Sequence, residues 1–191
     1  LIEAADGRLA LIDTGFGAGA GSVVAEVESV ASGRRLSHIL LTHAHFDPSG
    51  AASELRRQTG ATLVAGRGDC HQRGNGQWVL NPNIGRTHVG RLFVRKVLHR
   101  NVAETTVDEV LAGESEVLPG LIAVPVPGHT PGSYCYVAEA AGLAFVGDLV
   151  IHHGERLTRP LRWANHDDEL YLQTLAGFSI RAPGAGCPGH G

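Results

Sequence analysis

Apolar positions fall in short blocks along the chain, and most blocks stop at glycine, proline or an acidic residue. Leu1–Ala5 and Leu9–Asp13 flank Asp6-Gly7, which predicts two short strands joined by a tight hairpin turn. After a Gly/Ala-rich loop over 15–21, residues Val23, Val24, Val27, Val30 and Ala31 recur at helical spacing. A helix is expected there, capped by Ser22 and ended by Gly33. A strand over His38–Leu41 follows, then a helix capped by Ser49, running through Leu55 and Arg56 and ended by Gly60, then a strand over Ala61–Ala65. This alternation gives the first third an α/β character. From Val107 the blocks read as strands: Val107–Leu111, Glu116–Leu118, Leu121–Val126, Ser133–Ala138 and Leu143–Val146, with turns at Pro119-Gly120 and Ala141-Gly142. A last helix starts near Asp167, where an acidic first turn suits the positive end of the helix dipole, and Tyr171, Leu175 and Phe178 share one face. A short strand then precedes Pro188-Gly189-His190. Residues 66–100 are rich in Gly, Asn and Pro and read as loops with one short helical turn, while Arg91–Arg100 fits helix or strand equally. With no repeat of 20–50 residues and no linker, the expectation is one domain over 1–191.

Composition narrows the classes. A chain of 191 residues with 43% hydrophobic and 18% charged residues can bury a sizeable core and is not of disordered type. The formal net charge is -3 with no block of like charge, which disfavours nucleic acid as a partner. No apolar run approaches the roughly 20 residues of a membrane-spanning helix, so no membrane partner is expected. The chain begins at Leu1, contains no Met and stops one residue after a histidine, so it reads as trimmed at both ends, and a signal peptide could have been lost. Cys70, Cys135 and Cys187 are odd in number and lack CxxC spacing, which points to reduced thiols and a cytoplasmic setting. The 11 histidines are many for this length and several cluster, which points to metal.

The densest chemistry is Thr42-His43-Ala44-His45-Phe46-Asp47, directly after the apolar run Ile39-Leu40-Leu41. Alternate positions at a strand end project His43, His45 and Asp47 in related directions, and imidazole with carboxylate suits a divalent ion such as zinc. Four other apolar blocks end in a ligand-type side chain: Leu11-Ile12 at Asp13, Val124-Pro125-Val126-Pro127-Gly128 at His129, Phe145-Val146-Gly147 at Asp148, and Cys187-Pro188-Gly189 at His190. Rigid scaffolds carry functional groups on such loops, and a shared sheet edge would gather His43, His45, Asp47, His129, Asp148 and His190.

These motifs, in this order, resemble the metallo-β-lactamase-fold hydrolases, and within them the small glyoxalase-II-like members. The stretches that carry the resemblance are Thr42–Asp47, Gly128-His129-Thr130-Pro131-Gly132-Ser133, Gly147-Asp148, Pro188-Gly189-His190-Gly191 and the early Leu11-Ile12-Asp13-Thr14-Gly15. The resemblance implies an α+β fold, a four-layer αβ/βα sandwich with the metal site at one edge of two facing sheets. It implies a first metal on His43, His45 and His129, a second on Asp47 and His190, and Asp148 bridging them, with Asp13 in support. The metal implied is zinc, one ion or two, with iron or manganese as alternatives. The implied reaction is hydrolysis of an ester, thioester, lactone or related bond in a small-molecule substrate by metal-activated water, with Asp47 orienting that water. One position departs from the pattern HxHxDH: Pro48 stands where a last histidine would bind the second metal, so that metal is expected to bind more weakly. Two other readings remain open, a single-iron persulfide-dioxygenase-like oxidoreductase and a non-catalytic metal-binding member. Nothing in the sequence sets the oligomeric state.

Other candidates are read more plainly. His152-His153 reads as a loop pair, of which at most one could face the site; Cys70 and His71 read as surface, and Cys187 as a buried small residue. Arg91, Arg95, Lys96 and Arg100 read as a solvated face. Arg156, Arg159 and Arg162 are better placed to meet an anionic substrate group.

Overall fold

The computed structural model describes residues 1–81, 105–181 and 183–190, and the basic stretch Arg91–Arg100 lies outside them. Two five-stranded sheets face each other. The first has the order β1-β2-β3-β4-β8, from β1 (Ile2–Glu3), β2 (Leu9–Ile12), β3 (Leu36–Leu40), β4 (Thr62–Gly66) and β8 (Glu109–Leu111). The second has the order β15-β12-β11-β10-β9, from β9 (Ser115–Leu118), β10 (Leu121–Pro125), β11 (Tyr134–Ala138), β12 (Leu143–Gly147) and β15 (Ala185–Pro188). Helices α1 (Ala20–Ala31) and α3 (Ala52–Thr59) follow strands of the first sheet, and α2 (Phe46–Ser49) is a single turn; α4 (Asp168–Ser179) packs on the second sheet. Smaller pieces are β5 (Cys70–Gln72), β6 (Trp78–Leu80) and β7 (Thr106–Val107) in one three-stranded sheet, and the hairpin β13 (Ile151–His153) with β14 (Arg156–Thr158).

Strand parity builds the four layers. Leu9, Leu11, Ile39, Leu63 and Ala65 point outward to Val24, Val27, Ala52 and Leu55 of the helices. Their neighbours Ala10, Leu40 and Val64 point inward to Leu121, Ala123, Tyr134 and Tyr136 of the second sheet. On that sheet Cys135, Val137, Ala144 and Val146 turn outward to Tyr171 and Phe178 of α4. Strands buried on both faces have no polar side, which is why these segments read as unbroken apolar runs in the sequence.

Several boundaries differ from expectation for local reasons. A 3-10 turn at Gly17–Gly19 leads straight into α1, so the helix starts at Ala20 and Ser22 lies inside it rather than capping it. Ser49 does not cap α3 either: it sits in α2, where its hydroxyl donates back to the His45 carbonyl at 2.5 Å. The expected strand Val107–Leu111 is split at Asp108 between two sheets, because the Asp108 carboxylate accepts from Leu63 N (2.9 Å) and from Arg56 (2.7 Å). The β13–β14 hairpin lies where the sequence leads one to expect a loop; its side chains are mostly exposed on both faces, so no alternation marks it.

Candidate metal centre

Each candidate residue leaves a strand end at one edge of the sandwich. β2 and β3 run parallel, which sets Asp13 beside Thr42, and β12 and β15 run parallel, which sets Asp148 beside His190. The glycines ahead of the ligand-type residues are sterically required. Gly128 has φ +134°, and a Cβ there would stand 2.4 Å from the Tyr171 Cα; Gly147 has φ +50°, and a Cβ would stand 2.7 Å from the Thr42 side chain. Gly-His and Gly-Asp are therefore the only way these strand ends can turn so tightly.

The turns bring His43, His45, His129 and Asp148 together, with one donor atom from each lying within 4.8 Å of all the others. The three imidazole planes are nearly perpendicular in pairs, at 82–83°. His129 Nε2 stands 3.1 Å from His45 Nδ1 and 3.2 Å from Asp148 Oδ2, and His43 Nε2 stands 3.9 Å from the same oxygen. Ligands about 2.0–2.1 Å from a tetrahedral ion lie about 3.3 Å apart, close to these separations. His43 Nε2 and Asp148 Oδ1 are buried without a hydrogen-bond partner. Buried polar atoms are normally satisfied, so an orphan in this nest (His43 Nε2) and one at its edge (Asp148 Oδ1) fit a divalent cation.

The protonation states of His43 and Asp148 also suit one. Burial, reinforced by the His45 imidazole, holds the His43 pKa well below the usual histidine range, so its ring is neutral. Burial pushes the Asp148 carboxyl up, but the His129 hydrogen bond and the surrounding imidazoles pull it down to about 2. His129 is driven down by burial and up by Asp148, with a net rise.

Four further side chains hold the donors in place. Asp13 accepts from Thr42 N and Thr42 Oγ1, both at 2.8 Å, and Thr42 Oγ1 stands 3.0 Å from His43 Nδ1. The hydroxyl donates to Asp13 and so accepts from His43 Nδ1–H, leaving the Nε2 lone pair free for the nest. Burial pushes the Asp13 carboxyl up to about 7 against these bonds. Asn165 Oδ1 lies 3.0 Å from His129 Nδ1, and Asn165 Nδ2 donates to Asp168 at 2.8 Å. Asp69 joins two ligand loops: Oδ2 accepts from Ala44 N (2.8 Å) and Thr130 Oγ1 (2.7 Å), and Oδ1 from Gly132 N (2.9 Å). Sequence reasoning missed Asn165 and Asp69. Both sit in Gly- or polar-rich stretches, where an Asp or Asn reads as an ordinary turn residue. Replacing Asn165 by alanine is expected to weaken divalent-metal binding about 10- to 100-fold, read by competition with a chromogenic chelator; unchanged affinity would show that Asn165 does not orient His129.

The remaining two candidates form an adjoining pair. His190 Nε2 contacts Asp47 Oδ2 at 2.7 Å and Asp148 Oδ1 at 3.5 Å. Burial and the nearby Asp148 carboxylate raise the Asp47 pKa. Pro48 is tolerated in α2 because it is the third residue of the helix, whose N–H would have no intrahelical partner. Its carbonyl accepts from Thr14 N and Thr14 Oγ1, and its ring offers no donor to a metal. A cavity of about 270 Å³ opens on this side, with Asp47, Asp148 and His190 against apolar walls from Phe16, Pro48 and Phe145. Cys187 lines this cavity half-buried, while His152 and His153 are exposed and outside the cluster. Cys70 is half-buried, with its thiol pushed up to about 12 by burial, and His71 is exposed. Among the described residues no helix is long and apolar enough to cross a membrane.

Known proteins are similar to this chain. Hydroxyacylglutathione hydrolase from Rhodospirillum rubrum is 29% identical over 150 residues, covering 78% of this chain and 46% of its own length. Atrochrysone carboxyl ACP thioesterase AgnL7 from Paecilomyces divaricatus is 27% identical over 186 residues, covering 96% of this chain and 47% of its own. The chain thus spans less than half the length of either relative. The crystal structure of TTHA1623 in a di-iron-bound form superposes with a TM-score of 0.71 at 24% identity, covering 100% of this chain and 85% of that one, which shows a shared fold. The Metallo-beta-lactamase superfamily description matches residues 1–182, and the chain belongs to that superfamily.

Proposed function

We propose that the chain is a metal-dependent hydrolase of a small-molecule acyl substrate, with a thioester as the first bond to test. The observation that carries this reading is the nest of three mutually perpendicular imidazoles and Asp148, containing two buried polar atoms without partners. Of the relatives, one is named a thioesterase and another hydroxyacylglutathione hydrolase, which favours the thioester.

In this reading His43, His45 and His129 would hold a first divalent ion, zinc by donor chemistry, with Asp148 beside them. Asp47 and His190 flank a second position toward which Asp148 turns Oδ1. A cation held at this site would supply Lewis acidity, able to polarise a carbonyl oxygen and to acidify water toward neutral pH. Asp47 orients the attacking water, takes its proton on Oδ2 and returns it to the leaving group; His190 Nε2, 2.7 Å from that oxygen, holds the carboxylate in place. Thr42 and Asn165 keep the His43 and His129 lone pairs turned inward.

Pro48 makes the two positions unequal. Metal analysis by mass spectrometry is expected to give one firmly held ion per chain, with a second only at excess metal. Pro48→His adds a donor beside Asp47 and is expected to tighten the second ion by about tenfold or more in a calorimetric titration; no change would place residue 48 outside the site. The hydrolase reading is tested by thiol release from an acyl thioester before and after chelation. Chelator-sensitive turnover restored by zinc supports it. Absence of metal-dependent hydrolysis of thioesters, esters and lactones, with zinc and manganese in excess, overturns it. An iron-loaded protein that consumes dioxygen with a persulfide would establish the oxidoreductase alternative.

A further inference from the structure

The segment between Asp148 and α4 is a strap fastened at both ends to the loops of the metal centre. At one end His152 N donates to the His190 carbonyl at 3.0 Å. At the other, His166 N donates to the His129 carbonyl and Asp167 N to the Gly128 carbonyl, both at 2.9 Å. The strap is therefore tied to residues on both halves of the site. Its middle reads Arg156-Leu157-Thr158-Arg159-Pro160-Leu161-Arg162-Trp163. Pro160 is buried, but Leu157, Leu161 and Trp163 are 73%, 64% and 68% exposed, among the largest apolar exposures on the described surface. Large apolar groups held out in water around a site mark a binding surface.

The charges select its ligand. Arg159 and Arg162 both reach Asp168, each at 3.4 Å, and Arg156 has no ion pair among the described residues. Two guanidiniums thus share one carboxylate, and within 156–163 the only charged side chains are the three arginines, interleaved with apolar ones, with Glu155 just before them. Phe16, 57% exposed and lining the cavity, is paired with Phe46 at 5.6 Å between ring centroids. We infer that the strap 156–163 binds an amphiphilic acyl ligand with an anionic head: Leu157, Leu161 and Trp163 cover the apolar part, and Arg156, Arg159 and Arg162 take the phosphate or carboxylate. Arginine's planar fork suits such oxyanions better than a point charge does. The same geometry ties ligand binding to the metal centre, because Asp168, which the two arginines share, also accepts from Asn165, the partner of His129. The inference rests on the hydrolase reading only in taking this ligand to be the substrate.

Trp163 and the half-buried Trp78 are the only two tryptophans, so Trp163 is a built-in reporter. The purified protein is titrated with dodecyl phosphate below its micelle-forming concentration, with dodecyltrimethylammonium, and with inorganic phosphate, while emission is recorded. A saturable blue shift is expected with dodecyl phosphate, binding about tenfold weaker with the cationic amphiphile, and no shift with phosphate alone. Trp163→Phe should remove the shift. Arg159→Gln with Arg162→Gln should erase the preference for the anionic head while the apolar contact persists. No saturable shift, equal affinity for both heads, or a shift retained in Trp163→Phe overturns the inference. So does a dimer that Trp163→Ser dissociates in sedimentation, since a second copy would then cover the strap. Emission reads binding without turnover, so a protein that binds dodecyl phosphate yet hydrolyses nothing keeps this inference and loses the hydrolase reading. Hydrolysis without the shift does the reverse.

Discussion

Replacing His129 by alanine is expected to leave a folded protein that no longer retains metal through dialysis, with hydrolytic activity down about a thousandfold or more. His129 Nε2 lies closest to the middle of the nest, 3.1 Å from His45 Nδ1 and 3.2 Å from Asp148 Oδ2. Removing it leaves two imidazoles and a carboxylate, one donor short of the set a tetrahedral ion takes from a closed site. It also relieves His43 and Asp148 of a neighbour whose charge shapes their protonation. The ring is 5% exposed, so its loss opens a small cavity, and urea unfolding of the metal-free protein separates that cost from the lost ion. Metal content unchanged from the parent protein would sink the assignment of His129 as a ligand.

The second large effect is expected at Asp69. Asp69→Ala removes the shared acceptor of Ala44 N, Gly132 N and Thr130 Oγ1, all buried. Thr130 keeps Ser133 Oγ at 2.8 Å as an alternative partner, so the main damage is two stranded backbone N–H groups. Each costs about 1–3 kcal/mol, partly offset because burial already disfavours the Asp69 carboxylate, whose pKa it raises. The expected loss of stability is about 3 kcal/mol, and about half that for Asp69→Asn, which keeps one side-chain oxygen. Metal affinity should fall in parallel, since Ala44 lies between His43 and His45 and Thr130 follows His129. Denaturant midpoints with an unchanged slope measure the first effect and chelator competition the second. A loss below about 0.5 kcal/mol in Asp69→Ala would mean the carboxylate does not clamp the loops.

Much of the scaffold was legible because each core strand is buried on both faces, so its apolar run stands out from its neighbours. Leu9–Ile12, Ile39–Leu41, Tyr134–Ala138 and Leu143–Val146 were visible in this way, as were α1, α3 and α4. Local hydrogen bonding defeated the reading elsewhere: Ser22 and Ser49 have the chemistry of caps but lie inside helices, and Asp108 splits one apolar block between two sheets. The β13–β14 hairpin left no trace, because a strand pair exposed on both faces has no reason to alternate.

The candidate site divides in the same way. By itself the sequence determined which residues could act as donors and that each follows a strand: His43, His45, Asp47, His129, Asp148 and His190 carry their chemistry in their side-chain types, and the glycines before His129 and Asp148 signal tight strand ends. It also determined that Pro48 brings no donor. Only the tertiary structure decided the grouping, with four donors in one nest and Asp47 paired to His190 beside it. It alone revealed Asp69 and Asn165, and the strap tied to His190 and His129. The reason is physical. A donor's chemistry is local to its side chain, but a buried carboxylate that joins one loop 25 residues before it to another 63 residues after it acts only once two sheets have packed and closed off water.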